Sequence, residues 1–386
     1  MNSKVSRLRS TRMQPARVAL LGTGTVGSAL WSRLAAWDGS SLGGRLSLVH
    51  VANSRIAVSN RKGIPANTLE IFMHNMPQAS SLEAVDAALD GAGTRIVIDA
   101  TASDAVASQH ASWLARGIHV VTACKLGQGT TLERWYAIQS ARHAGGTHYG
   151  DSATVGAGLP VLRSLRELQA GGDRIHAIAG VLSGSLAWLC NQYDGLRPFS
   201  GFVREARDAG YTEPDPREDL SGEDVRRKLL ILARAAGYPL AVDAVQVDSL
   251  LPAGLAALAL EDVDSGLQQL DAPLRDRYAA AWNKNEKLRF IARLQDGLAT
   301  IGLEPLAADH PLAGGAGTDN KIAIWSDRYR EQPLMIQGPG AGAAVTAAAL
   351  LDDALAIHAT SASGSELQAD VLMPKKVSIG CGRWST

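Results

Sequence analysis

The chain lacks the features that would staple it covalently or draw it to a charged surface. Among 386 residues there are three cysteines, Cys124, Cys190 and Cys381. They are too few and too scattered for a disulfide framework or a thiolate zinc site, so a reducing compartment is expected. No charge of one sign dominates: 38 Lys and Arg balance 38 Asp and Glu, which argues against non-specific nucleic-acid or membrane-surface binding. No window reaches the run of roughly 18 apolar residues expected of a membrane span. The basic N-terminal stretch MNSKVSRLRSTRMQPAR has no apolar centre of a secretory signal. The expectation is a cytoplasmic protein with neither nucleic acid nor membrane as partner. Internal repeats are absent. Apolar residues are plentiful at 46%, enough for sizeable cores, and the length suits two domains or one with an inserted lobe.

Arg17 to Leu21 (RVALL) is expected to be a short buried strand. It runs into Gly22-Thr23-Gly24-Thr25-Val26-Gly27 and then the helix-like SALWSRLAAW. Strand, G-x-G-x-x-G turn and helix make a dinucleotide fingerprint: glycines allow a tight turn and bring a pyrophosphate close to a helix N-terminus. Gly22, Gly24, Thr25, Val26 and Gly27 are therefore candidate cofactor contacts. The next strand, Leu46 to Ala52, ends in Asn53-Ser54-Arg55, with Arg61 and Lys62 following. Where NAD sites place a carboxylate, this chain has Asn53 and Arg55; a cation without a carboxylate suits a 2′-phosphate, favouring NADP(H) over NAD(H). Strands at Arg95–Ile98 and Ile118–Thr122 alternate with helical stretches, predicting a Rossmann-type parallel sheet. Asp99, Thr101 and Lys125 follow strand ends and are expected to face the cofactor. The stretch from Ile56 to Ser80 shows no clean period and is expected to be a long irregular connection.

A second region, α+β with an open sheet, is expected from Arg174 onward. RIHAIAGVLSG is a strand entering a Ser-Gly-Ser turn, where Ser183 and Ser185 are either substrate contacts or caps of the next helix. Helices are expected around 199–209, 222–237 and 273–284, and strands at Leu288–Leu294, Leu298–Leu306, Lys321–Ser326 and Leu334–Gln337. Gly338-Pro339-Gly340-Ala341-Gly342 then precedes an Ala-rich helix to about Ala359, and such a glycine cluster suits close backbone approach.

The most informative segment is GYTEPDPREDLSGEDVRRKLLIL, from Gly210 to Leu232. Pro214 and Pro216 keep its acidic first half out of a helix interior. Val225, Leu229 and Leu232 then fall at helical spacing, with Asp224 and Lys228 four apart on one face. A Lys that leads into Leu-Leu-Ile-Leu is expected to be partly buried and to need a partner or a task. A plainer account also fits: Ser221 and Asp224 match an [ST]-x-x-[DE] capping box, and the acidic run suits a solvated loop.

This segment resembles the active-site stretch of homoserine dehydrogenases, above all the dehydrogenase half of bifunctional aspartokinase–homoserine dehydrogenases, whose pattern is G-Y-T-E-P-D-P…D-L-x-G-x-D-V-x-R-K. The resemblance implies that Glu213 and Asp219 hold the two ends of the substrate and that Asp224 and Lys228 are the catalytic pair. Thr122 to Lys125 (TACK) resembles the family's T-x-N-K turn, implying a catalytic and cofactor role for Lys125, with Cys124 in place of Asn. Ser183 and Gly184 match a substrate-binding turn, and Gly340 and Gly342 a turn beside the nicotinamide. ATVGAGLP resembles an interdomain turn whose carbonyls, here those of Val155, Ala157 and Leu159, bind a monovalent cation such as Na⁺ or K⁺. The acidic ligand of that ion is expected at Ser152, which has no carboxylate, although Asp151 is adjacent.

The resemblance implies reversible NAD(P)H-dependent reduction of L-aspartate 4-semialdehyde to L-homoserine, in threonine and methionine biosynthesis, by a homodimer. It implies a dinucleotide-binding domain over 14–152 completed by 338–360, a catalytic and dimerisation domain over 153–337, and an unassigned tail over 361–386. The roughly 16 residues before the fingerprint leave no room for a kinase module, so a stand-alone dehydrogenase is expected, and the tail is short for a regulatory domain. Cys124 and Ser152 leave two alternatives: a cofactor-binding regulator or pseudo-enzyme, and a related dehydrogenase for another amino-aldehyde.

Overall fold

Short apolar runs alternating with helices fold, in the computed structural model of this chain, into a parallel sheet; residues 14–362 are described. Its strands are β1 (Ala16–Leu21), β2 (Leu46–Ala52), β3 (Ile56–Ser59), β4 (Gln78–Ala79), β5 (Arg95–Asp99), β6 (His119–Thr122) and β7 (Tyr149–Gly150), in the order β4-β3-β2-β1-β5-β6-β7. From β2 to β7 all neighbours are parallel. Both faces are buried, which is why these strands lack polar alternation. Val18, Leu20, Leu48, Val51, Ile96 and Ile98 point to one core; Ala19, Leu21, Val49, Val97 and Val120 point to the other.

The expected irregular connection between Ile56 and Ser80 is instead structured. It holds β3, β4 and the helix Leu69–Asn75, with β3 and β4 added antiparallel at the sheet edge. Elements of two to seven residues are too short to display a hydrophobic period.

A second, mixed sheet contains β8 (Ile175–Val181), β9 (Val245–Val247), β10 (Glu286–Gln295), β11 (Leu298–Ala307), β12 (Asn320–Ser326) and β13 (Leu334–Gly338), in the order β13-β12-β8-β10-β11-β9. One face carries the largest core. There Ile178, Phe290, Ala292 and Leu294 meet Leu162 and Leu165 of the Val161–Ala170 helix, Phe202 and Val203 of Phe199–Asp208, and the buried run Leu229–Ala233 of Glu223–Ala235. The run 229–233 of that last helix is apolar on every side because it is buried on every side, while the charged residues stand in its first two turns and at Arg234.

The chain returns to the first sheet through the helix Ala343–Ala362, whose Ala347, Leu350, Leu351, Ala354 and Ile357 complete a first-sheet core. Contrary to the expectation from hydropathy, its segment Ala343–Ser361 is long and apolar enough to cross a membrane. Its buried side is that of a core helix packed on Thr25–Ala36, and it also carries Asp352 and Asp353. At the junction of the two sheets, Arg166 donates to both oxygens of buried Asp151, at 2.6 and 2.7 Å. Ser152 donates through N–H and hydroxyl to Asp353, at 3.0 and 2.8 Å. The turn at 151–152 is thereby tied both to the helix that follows it and to the returning helix, 201 positions away from Ser152.

Candidate active site

The glycine turn after β1 divides its labour. Gly22 has φ +100°, and a Cβ there would lie 2.6 Å from the Ala100 carbonyl oxygen. A Cβ on Gly27 would lie 1.9 Å from the Gly22 oxygen. These two are glycine so that the chain can pack on itself. Gly24 is different: nothing lies within 4 Å of its would-be Cβ. It is the N-cap of Thr25–Ala36 and supplies no side-chain cap, so the first amides of the helix are open to an anion. These observations fit a dinucleotide pyrophosphate.

At the end of β2, Asn53 spends its amide on the turn. Its Oδ1 accepts the backbone N–H groups of Arg55 and Ile56, each at 2.9 Å, and its Nδ2 donates to Thr23 Oγ1 at 3.1 Å. Arg55 is exposed. Arg61 is directed away, to the Ala87 carbonyl and Asp90.

A cleft of about 1070 Å³ lies where the C-terminal ends of the parallel strands meet the second sheet's helices. It brings together Thr25, Val26, Thr101, Lys125, Ala157, Ser183, Gly184, Glu213, Asp219, Asp224, Lys228, Gly340 and Gly342. Asn53, Arg55, Val155 and Leu159 are not in its lining. Nor is Asp99, which was expected to face the cofactor: it is fully buried, and its side chain turns into the protein. Gly340 is glycine because a Cβ there would fall 1.8 Å from Asn320 Oδ1.

Asp224 is the electrostatic centre. Its Oδ2 lies 2.8 Å from Lys228 Nζ and its Oδ1 3.2 Å from Lys125 Nζ. Lys228 Nζ also donates to the Leu182 carbonyl at 2.7 Å and is 9% exposed as a residue. Partial desolvation opposes a charge on Asp224, whose side chain is 46% exposed, but Lys228 and then Lys125 outweigh it and hold its carboxyl well below the usual carboxylate range. The capping-box account fails. Gly222, at φ +76°, is the N-cap of Glu223–Ala235 and no side chain caps that end. The Ser221 hydroxyl instead donates to the Glu218 carbonyl at 2.6 Å and accepts the Glu223 N–H at 3.2 Å.

The acidic run before this helix sorts by contact. Asp215 is clamped by the Arg217 guanidinium, which also reaches the Leu258 carbonyl. Asp219 accepts the Ser185 hydroxyl at 2.6 Å and the Glu213 N–H at 2.8 Å. The Glu213 carboxylate is exposed beside it. Ser183 caps the Leu186 N–H at 3.2 Å and meets the Ser185 hydroxyl at 2.8 Å in the cleft wall. Arg227, Tyr211 and Thr318 also line the cleft and were missed from the sequence. Arg227 stands three residues after Asp224, a spacing that could have flagged it.

In the turn read as a cation site, the acidic groups are engaged elsewhere. Asp151 is occupied by Arg166, Ser152 by Asp353, and the Leu159 carbonyl accepts the Val161 N–H at 2.8 Å. No cluster of three or more His, Cys, Asp or Glu side chains suited to a metal occurs among the described residues. Cys124 is no nucleophile either: burial, then the nearby Asp99 charge, pushes its thiol up to about 12.

Two outcomes follow from this geometry. Gly24→Ala should leave the melting temperature unchanged and weaken dinucleotide binding, whereas Gly27→Ala should lower the melting temperature; calorimetry and a cofactor titration separate them. The second concerns acid. The folded state holds the Asp224 proton more weakly than the unfolded chain does, so its stabilisation is complete above an ordinary carboxylate pKa of about 4 and is lost as pH falls below it. Asp224→Asn should therefore melt below the parent at neutral pH, and scanning calorimetry should show that gap closing on acidification.

Comparison with known proteins agrees with the geometry. Residues 22–149 match the family model described as homoserine dehydrogenase, NAD binding domain, and residues 160–355 match the homoserine dehydrogenase model. The chain is 38% identical over 343 residues to bifunctional aspartokinase/homoserine dehydrogenase 2 of Escherichia coli, covering 87% of this chain but 42% of that protein. It therefore spans less than half of that relative. A homoserine dehydrogenase of Schizosaccharomyces pombe is 33% identical over 361 residues, covering 88% of this chain and 94% of the yeast protein. Among solved structures, a Candida auris protein of unknown function superposes with a TM-score of 0.83 at 33% identity, over 90% of this chain and 99% of that one. A hyperthermophilic archaeal homoserine dehydrogenase in complex with NADPH shares the fold, with a TM-score of 0.70 at 20% identity, over 90% of this chain and 98% of that one. The chain belongs to the homoserine dehydrogenase family.

Proposed function

We propose that this chain catalyses the reversible NAD(P)H-dependent reduction of L-aspartate 4-semialdehyde to L-homoserine. The observation that carries the reading is Asp224 holding two ammonium groups, Lys125 and Lys228, at the floor of a cleft entered from the glycine turn. The cofactor, bound across Gly22, Gly24, Thr25, Val26, Gly27 and Thr101 and bordered by Gly340 and Gly342, supplies hydride to the aldehyde carbon. The protein must then stabilise and protonate the oxygen left behind. Lys228 has three N–H groups; one meets Asp224 and one the Leu182 carbonyl, so the third is free for the substrate oxygen. Lys125 adds a second positive charge there. In the reverse direction Lys228, having first given up a proton, takes the hydroxyl proton as a neutral amine. Glu213 and Asp219, with Ser183 and Gly184 beside them, suit the substrate's ammonium end, which distinguishes an amino-aldehyde from a plain aldehyde.

NADP(H) is the favoured cofactor, because Asn53 presents no carboxylate at the end of β2 and Arg55 is unpaired among the described residues. The reading extends to a cytoplasmic homodimer acting in threonine and methionine biosynthesis. It divides the chain into 14–152 with 338–360 and 153–337. No monovalent cation enters it.

Purified protein given L-homoserine with NADP or NAD should form reduced nicotinamide. Lys228→Ala should lower kcat by a factor on the order of 10² or more, as loss of a positioned proton-transfer group does. Absence of turnover while the cofactor still binds would sink the assignment. Arg55→Ala should raise KM for NADP about tenfold and leave NAD unaffected, as expected for loss of one charge-assisted contact; equal changes for both cofactors would remove the argument for NADP.

A further inference from the structure

Behind the cleft wall lies a polar chain that the proposed chemistry does not use. Asp99 and His110 have no exposed surface, and Tyr149 is 6% exposed. The Tyr149 hydroxyl lies 2.9 Å from His110 Nδ1, and His110 Nε2 lies 3.0 Å from Asp99 Oδ2. The other Asp99 oxygen accepts both the Thr101 N–H, at 2.9 Å, and the Thr101 hydroxyl, at 2.7 Å. The Thr122 hydroxyl reaches Asp99 Oδ2 at 3.3 Å and itself accepts the Cys124 N–H at 2.9 Å. One buried carboxylate thus grips the turn after β5, which carries Thr101, and through Thr122 the turn after β6, which carries Lys125.

Both ring nitrogens of His110 have partners in this chain. Nε2–H donates to Asp99, Nδ1 accepts the tyrosine proton, and no buried polar atom of the three is left over. Burial pushes the Tyr149 phenol well above its usual range, so it keeps that proton. The Lys125 turn rests directly on this assembly: a Cβ on Gly127 would fall 2.3 Å from the Tyr149 oxygen and 3.0 Å from His110 Nδ1. None of the three residues lines the cleft, so none touches reactants.

We propose that Asp99, His110 and Tyr149 are positioning residues that hold the Thr101 and Lys125 turns in the geometry needed for cofactor binding and for the Lys125–Asp224 contact. The role rests on the proposed dehydrogenase reading, but its first readout, NADPH affinity, needs no turnover. His110→Leu removes both bonds of the ring, while His110→Gln keeps a donor towards Asp99 and loses the bond to Tyr149. Tyr149→Phe loses one hydrogen bond and almost no volume. The full chain of each variant is titrated with NADPH by fluorescence, melted by calorimetry and assayed for kcat with saturating L-homoserine.

His110→Leu should bind NADPH about tenfold more weakly and lose kcat as well. His110→Gln should recover most of the affinity, and Tyr149→Phe should lose a few-fold, about what one hydrogen bond is worth. Should His110→Leu fail to fold, the comparison of His110→Gln and Tyr149→Phe with the parent carries the test. Folded variants with lower melting temperatures but the parent's NADPH affinity and kcat would overturn the proposal. Weakened NADPH binding in a chain whose parent never oxidises homoserine would uphold the positioning role and overturn the substrate instead.

Discussion

One carboxylate shared by two lysines from different parts of the fold is the constraint on which this molecule turns. Lys125 follows β6 of the parallel sheet, while Asp224 and Lys228 stand in the first turns of the helix that fills the core of the mixed sheet. Neither lysine would be comfortable there alone, because a cation withdrawn from water needs a counter-charge. Asp224 supplies it to both, so the interaction at the centre of the cleft is also one of the contacts between the two halves.

Much of the remaining architecture serves to bring these groups to one place. The run Leu229–Ala233 anchors the helix Glu223–Ala235, whose Asp224 and Lys228 line the cleft. Gly222 turns the chain into that helix in a left-handed conformation, where a side chain would press on Phe290. The pairs Arg166–Asp151 and Ser152–Asp353 tie the helix Val161–Ala170 and the returning helix to the turn after β7. The long returning helix then completes the core behind the nucleotide turn. Asp99 works from the other side, tying two strand-end turns to one buried point.

What could be seen in the sequence follows from the range over which the physics acts. Local periodicity exposed β10, β11, β12 and the helices near 199, 222 and 273, because a ten-residue strand or a thirteen-residue helix repeats its pattern enough to be recognised. β4, β7 and β9, of two or three residues, left no such trace. The glycine turn and the Asp224–Lys228 pair were visible because their chemistry lies within a few residues. Ser221 and Asp224 showed the limit of spacing: the interval suits a capping box, but Gly222 takes the cap and frees Asp224 for the lysines. The bond from Ser185 to Asp219 and that from Ser152 to Asp353 join residues 34 and 201 positions apart, and no local pattern encodes them. Asp99 was placed correctly at a strand end, yet which way its side chain turned depended on His110 and Tyr149 packing beneath it.

The central claim, that Asp224, Lys125 and Lys228 act as a single unit, is tested most directly by a double-mutant cycle on kcat for L-homoserine oxidation. Lys125→Met, Lys228→Met and the double variant are compared with the parent at saturating cofactor. Groups that act together show strongly non-additive losses. The account predicts that Lys125→Met costs much less once Lys228 is already gone. Losses that simply multiply, with each lysine contributing regardless of the other, would contradict it.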